Sequence, residues 1–164
     1  MSELIKIGDI EVYPSFYNMM SYGLTEEFRK ELKSARDYED YYGFCGTDDD
    51  YNKIDLERPL FYSLKIKGKF IGYIGFSDYG DVLEPEIYIF KQYRNKGYGT
   101  KVLSKFIEIA FNDGLLKKWS EKNEKGFCEV KSERVFPVKF MSSVRVENIP
   151  SQKMMVSCGF KENT

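Results

Sequence analysis

The apolar positions of this chain change period several times, and each change marks an element. Leu4, Ile5, Ile7, Ile10 and Val12 alternate closely enough to predict a first strand over Leu4 to Val12. From about Ser15 to Lys33 the pattern becomes helical, for one or two helices, with Thr25-Glu26-Glu27 as a helix start. The stretch from Asp37 to Glu57 is acidic and rich in tyrosine, which predicts a loop or short helix. Leu60 to Lys67 and Phe70 to Ser77, on either side of a Lys67-Gly68-Lys69 turn, predict a hairpin. Val82 to Phe90 predicts another strand. Val102, Leu103, Phe106, Ile107 and Ala110 then recur at three- and four-residue spacing, so a helix from about Gly97 to Phe111 keeps Lys101, Ser104, Lys105 and Glu108 outside.

Beyond that helix the pattern weakens. Asn112-Asp113-Gly114 should end it, Leu115, Leu116 and Trp119 form an apolar cluster, and Glu121 to Gly126 is a polar breaker. Phe127 to Val135 alternates weakly, Pro137 to Val146 predicts a strand, and Ser151 to Ser157 predicts a short helix. No internal repeat or low-complexity tract breaks the sequence. The sum is an α/β fold of the α+β type, with a central mixed, mostly antiparallel sheet flanked by helices. Its 164 residues suit one domain; a chain of this size buries roughly 70% of the surface its unfolded form exposes.

Charge and composition narrow the chemistry. With 25 basic and 26 acidic side chains the net charge is −1, so no general nucleic-acid or anionic-membrane binder is expected. No apolar stretch approaches a spanning helix and no cleavable leader is evident, which predicts a cytoplasmic protein. Cys45, Cys128 and Cys158 are widely spaced and odd in number, as suits free thiols in a reducing compartment. The chain has no histidine. That removes Ser–His and Cys–His nucleophiles, the usual zinc sites and the usual pH switch, so acid–base chemistry falls to carboxylates, tyrosines, cysteines, lysines or water, and no metal is expected.

The most informative stretch is the strand Val82-Leu83-Glu84-Pro85-Glu86-Ile87-Tyr88-Ile89-Phe90 followed by Arg94-Asn95-Lys96-Gly97-Tyr98-Gly99. A strand feeding a basic, glycine-containing turn that opens a helix offers free backbone N–H groups and a positive dipole end to a phosphate. It is not a dinucleotide fingerprint, because Val102 stands at the third glycine position, and no P-loop is present. The run does read R-x-x-G-x-G. Downstream, the strand-like Val144-Arg145-Val146 leads to Asn148, Ser151 three residues later, and Gly159-Phe160, with Gly159 eleven positions after Asn148. Together these two motifs resemble the GNAT N-acetyltransferase superfamily, over about residues 61 to 160.

The resemblance implies one acetyltransferase domain, with residues 1–58 as the acceptor-side segment and 61–160 as the acetyl-CoA-binding core. It implies acetyl-CoA as co-substrate, without a metal. The backbone of Arg94, Asn95, Lys96, Gly97, Tyr98, Gly99 and Thr100 would cradle the diphosphate. Main-chain N–H groups of Ile87, Tyr88 and Ile89 would receive the cofactor arm, and Asn148 would touch the pantetheine or order the strands; as a turn residue it could equally cap the helix near Ser151. The amine would attack the thioester carbonyl carbon directly, so it needs a base: Glu84 at the family's common glutamate position, then Glu86, with both on one strand face beside Tyr88 unless they are ordinary solvated charges. Ser151 is a candidate acid for the thiolate, though helix N-capping explains it better. Cys158 reads as a small core residue.

Two departures matter. Many members carry Tyr where Met155 stands, and many continue past Gly-Phe with further strands. The segment 112–136, a partner subunit as in a homodimer, or nothing at all could occupy that sheet edge. The acidic run from Asp37 to Glu57 would attract a cationic acceptor such as a polyamine, an aminoglycoside or a basic peptide, or it is a solvated loop. The expected reaction is acetyl transfer to a primary amine in a ternary complex. The rival readings are a catalytically silent CoA-binding regulatory module and an interaction protein that recruits a partner strand.

Overall fold

The first apolar run folds back on itself. The computed structural model describes residues 5–14, 60–144 and 146–162, so the helices expected between Ser15 and Lys33 and the acidic run from Asp37 to Glu57 lie outside the described residues. Instead of one strand over Leu4 to Val12 there are two, β1 (Ile5–Ile7) and β2 (Ile10–Pro14). Ile7 pairs with Ile10 across the two-residue turn Gly8-Asp9. A small polar pair between alternating apolar residues is a hairpin signal, and it outweighs the continuity of the run. β3 (Phe61–Ile66) and β4 (Lys69–Asp78) form the expected hairpin about Lys67-Gly68, and β5 (Val82–Ile89) follows.

Helix α1 spans Tyr98–Asn112 and α2 spans Ile149–Ser157. The predicted stripe of α1 is buried at Val102, Leu103, Phe106 and Ala110, while Lys101, Ser104 and Glu108 face out. It closes one face of the sheet: the Phe106 ring lies 4.9 Å from Tyr62 and 5.7 Å from Phe76, over Ile10, Val12, Leu64 and Ile74. Each such side chain, fully buried, contributes about 1.5–3 kcal/mol. Burial raises the Tyr62 phenol above its ordinary range; its hydroxyl donates to the Leu116 carbonyl at 3.2 Å. The opposite face carries Tyr73 stacked on Tyr88 at 6.0 Å, with Phe90 edge-on at 6.1 Å.

The main sheet has the order β1-β2-β3-β4-β5-β8, where β8 is Lys139–Phe140. Its pairings are antiparallel except β5 with β8, which run parallel. The strand expected over Pro137 to Val146 therefore shrinks to two residues. Val138 N–H donates to the Asp81 carbonyl and Met141 N–H to the Leu83 carbonyl, after which the chain leaves β5 through Ser142 and Ser143. The segment 112–136 does not supply the sheet edge either. Gly114 ends α1, and β6 (Leu115–Lys122) and β7 (Cys128–Val135) pair with each other as a separate two-stranded sheet. Its ties to the rest lie at its base: Tyr62 to Leu116, Lys117 to Asp78 at 3.3 Å, and Arg134 to the Gly114 carbonyl at 3.3 Å. Among the described residues no helix is long and apolar enough to cross a membrane.

One close approach fixes how β4 meets β5. The β3–β4 register slips between Leu64 and Lys65, and Gly72 falls at the slip, opposite Ile89. A Cβ on Gly72 would stand 2.0 Å from the Tyr88 carbonyl oxygen and 2.9 Å from Ile89 Cα. Both obstacles are backbone, so nothing can rotate aside. Gly72→Ala is accordingly expected to lower stability by about 3 kcal/mol, the upper end of the ordinary range for single substitutions. Urea unfolding followed by circular dichroism measures it, and an unchanged midpoint would refute the close approach.

Candidate functional site

Strand β5 has a paired half and an open half. Residues of one parity in a strand turn their N–H and C=O groups to the same side. The Asp81 and Leu83 carbonyls face β8, so Ile87 and Ile89 must turn their peptide groups to that side too. Phe90, of the other parity, confirms the division: its N–H donates to the Ile71 carbonyl of β4 at 2.7 Å. Since β8 ends at Phe140, opposite Leu83, no strand among the described residues lies along Glu84 to Ile89 on the side away from β4. The N–H groups of Ile87 and Ile89 therefore open onto this edge. The N–H of Tyr88 does not; parity turns it to β4. Of the three N–H groups expected to receive the cofactor arm, those of Ile87 and Ile89 thus face the open edge and that of Tyr88 faces β4.

Side chains divide the same way across the faces. Leu83 and Ile87 lie on the α1 face with the core. Glu84, Glu86 and Tyr88 share the opposite face, as the strand period predicts. Both carboxylates are half-buried and Tyr88 is buried. The candidate bases and the open peptide edge thus meet at one strand, the bases reaching away from α1.

At the end of β5 the chain makes a short 3-10 turn, Lys91–Tyr93, then the basic loop. Asn95 (φ 64°) and Gly97 (φ 79°) are both left-handed, and Gly97 is the N-cap of α1 with no side chain bonded to the cap. The first helical bond runs from Lys101 N–H to the Gly97 carbonyl at 3.1 Å. The N–H groups of Tyr98, Gly99 and Thr100 are left pointing out of the helix start. Turns that alternate handedness gather N–H groups into a concave anion seat, to which the helix dipole adds. Among the described residues outside the loop and the helix start themselves, no atom lies within 4 Å of where a Gly97 Cβ would stand.

The basic side chains around the loop are placed differently from one another. Lys101 is exposed, and Lys96 is exposed with its Nζ 5.8 Å from the Tyr93 ring centre. Arg94 folds back onto β5 instead: its Nε donates to the Ile89 carbonyl at 2.8 Å and its guanidinium sits 5.2 Å from the Tyr88 ring centre.

Helix α2 brings the second motif alongside. Met154, a residue the sequence motifs do not point to, has its sulfur 3.0 Å from where a Gly99 Cβ would stand, a point also 3.8 Å from Ile89 Cγ1 and 3.9 Å from Ile87 Cδ1. It thus joins the helix start to the open half of β5. Met155 is buried in the core, so the position where a phenol was missed is filled by packing. Cys158 also packs against the core; its thiol donates to the Thr100 carbonyl at 3.5 Å, and burial raises its pKa. A raised thiol pKa at a packed site fits a structural cysteine.

The comparisons with known proteins bear on the family and the fold. The family model described as the acetyltransferase (GNAT) family matches residues 23–126. No curated protein matches the sequence. Among solved structures, an acetyltransferase (GNAT family) from Bacillus anthracis is similar over 98% of this chain and 85% of its own, with TM-score 0.62 and 16% identity. The microcin C7 self-immunity acetyltransferase, in complex with acetyl-CoA and AMP, is similar over 93% of this chain and 79% of its own, with TM-score 0.59 and 16% identity. An aminoglycoside N-acetyltransferase in complex with CoA is similar over 94% of this chain and 90% of its own, with TM-score 0.54 and 16% identity. Likeness at such identity speaks for the fold.

The start of α2 shows which residue caps it. Asn148 is its N-cap, with the side-chain oxygen accepting from Ser151 N–H at 3.3 Å, and Pro150 sits in the first turn. Capping thus belongs to Asn148; Ser151 supplies the N–H that is capped, and its hydroxyl is not the cap. Asn148→Ala should lower stability by about 1 kcal/mol and Asn148→Asp should keep most of it. Thermal unfolding of the two variants checks this; equal losses would refute the cap.

Proposed function

The chain belongs to the GNAT acetyltransferase family, and from that premise we propose that it moves the acetyl group of acetyl-CoA onto the nitrogen of a primary amine within a ternary complex. The observation that carries the reading is a half-paired strand whose outward N–H groups, at Ile87 and Ile89, lead straight into an open helix start at Gly97. A cofactor with amide groups at one end and a diphosphate at the other matches that order of donors. The backbone of Asn95, Lys96, Gly97, Tyr98, Gly99 and Thr100 forms the diphosphate seat, and Ile87 and Ile89 hold the arm and the thioester oxygen.

In the proposed step the neutral amine attacks the thioester carbon. A carbon–nitrogen bond forms, the carbon–sulfur bond breaks, and the thiolate leaves with a proton from water. An amine is mostly protonated at neutral pH, so Glu84 or Glu86 takes its proton, directly or through water. Residues 1–58 are the proposed acceptor side, and the acidic run from Asp37 to Glu57 favours a cationic amine. The burial of Met155 favours one rival, a silent CoA-binding module, since no phenol stands at that position to protonate the thiolate.

Calorimetric titration with acetyl-CoA, followed by a panel of amines with release of free CoA as the readout, tests the proposal. Binding with release for some amine supports an acetyltransferase, binding without release for any amine supports the silent module, and no binding sinks both. Gly97→Val should weaken acetyl-CoA binding by more than about tenfold, because a branched side chain resists the left-handed φ of 79° and fills the open seat. Glu84→Gln or Glu86→Gln should lower kcat by about 10²-fold at neutral pH with cofactor affinity nearly unchanged. Full activity in both variants would remove the carboxylate base.

A further inference from the structure

Resting on the acetyl-CoA reading, we propose that Arg94 is a positioning residue for the thioester end of the cofactor rather than a ligand of its phosphates. A free strand edge presents donors and acceptors in alternation. On the open half of β5 these are the Pro85 carbonyl, the Ile87 N–H and carbonyl, and the Ile89 N–H and carbonyl. A thioester carbonyl brought to such an edge would meet acceptors as well as donors. Arg94 changes the end of the series. Its Nε–H occupies the Ile89 carbonyl at 2.8 Å, so the terminal group left facing outward is a donor, the Ile89 N–H.

The same bond fixes the direction of that donor. The Ile89 carbonyl and the Phe90 N–H belong to one planar peptide unit. Arg94 holds its oxygen from the open side and the Ile71 carbonyl holds its N–H from the β4 side at 2.7 Å. A unit held at both ends cannot rotate, and the preceding unit, which carries the Ile89 N–H, is pressed against Gly72, where a Cβ would stand 2.0 Å from the Tyr88 oxygen. The guanidinium lies over the Tyr88 ring at 5.2 Å, which anchors it on the strand. Arg94 thereby acts as a latch: it closes the acceptor at the strand end and aims the neighbouring donor at the oxygen that gains charge during transfer.

Splitting the cofactor separates a latch from a phosphate ligand. S-acetylpantetheine carries the thioester and amides without any phosphate; adenosine 3′-phosphate 5′-diphosphate carries the phosphates without the thioester. Wild-type protein, Arg94→Ala and Arg94→Lys are titrated with each half and with acetyl-CoA, and kcat at saturating acetyl-CoA and Tm are recorded. The latch predicts an affinity loss of about tenfold for S-acetylpantetheine in both variants, within about twofold of wild type for the nucleotide half, and a fall in kcat with little change in Tm. A loss confined to the nucleotide half, spared in Arg94→Lys, would overturn the latch while leaving the acetyl-CoA reading intact. Equal losses on both halves with a lowered Tm would also overturn it, as a merely structural role. Wild-type protein that binds neither half nor acetyl-CoA would overturn both proposals.

Discussion

Strand β5 is paired along its whole length on one side and only at Val82 and Leu83 on the other. Buried peptide groups demand partners, so a half-open strand in the middle of a fold is a constraint that the surrounding elements must answer. They do so in sequence. The chain after β8 leaves the edge instead of extending along it, α2 settles beside α1 with Met154 near the open half, and Arg94 turns back to occupy the last carbonyl. What stays open is a short row of donors, bounded by the helix start that carries more of them.

The division of labour across β5 follows from the strand period. Peptide groups point within the sheet plane, side chains across it. The same eight residues can therefore offer main chain to a cofactor at the edge and Glu84 and Glu86 to a second molecule on the face away from α1. Neither demand compromises the other. An enzyme that joins two molecules needs two approaches to one point, and a strand that is half-open at one edge and carries half-buried carboxylates on one face offers two distinct directions.

Much of this was legible in the sequence. The helical stripe of α1, the hairpin at Lys67-Gly68 and the glycine loop each rest on a short-range signal, period or turn chemistry, and each survives in the structure. The errors came where two signals competed. Gly8-Asp9 was overridden by the apolar residues around it, and Pro137 to Val146 read as a strand because strand composition does not say whether an edge is available. The direction of the Tyr88 N–H was hidden for a subtler reason: the parity of a strand against its neighbours depends on pairing, which no local pattern contains. Met154 was invisible because its contact joins elements distant in the chain, and the Arg94 bond, though it spans only five residues, follows no period or turn pattern.

The hairpin of β6 and β7 has its own bearing on behaviour in salt. Its distal half carries exposed polar pairs: Asn123 with Glu129 at 3.0 Å, and Lys131 with Glu129 at 3.1 Å, which hold the Glu129 carboxyl below its ordinary range. Such pairs are screened as ionic strength rises, whereas the contacts of Phe106 with Tyr62 and Phe76 are not. The molecule thus joins an element with a small electrolyte-sensitive contribution at its tip to a core indifferent to it. Since that element is tied to the rest at its base, fraying at the tip by salt can proceed without disturbing the sheet from which it projects.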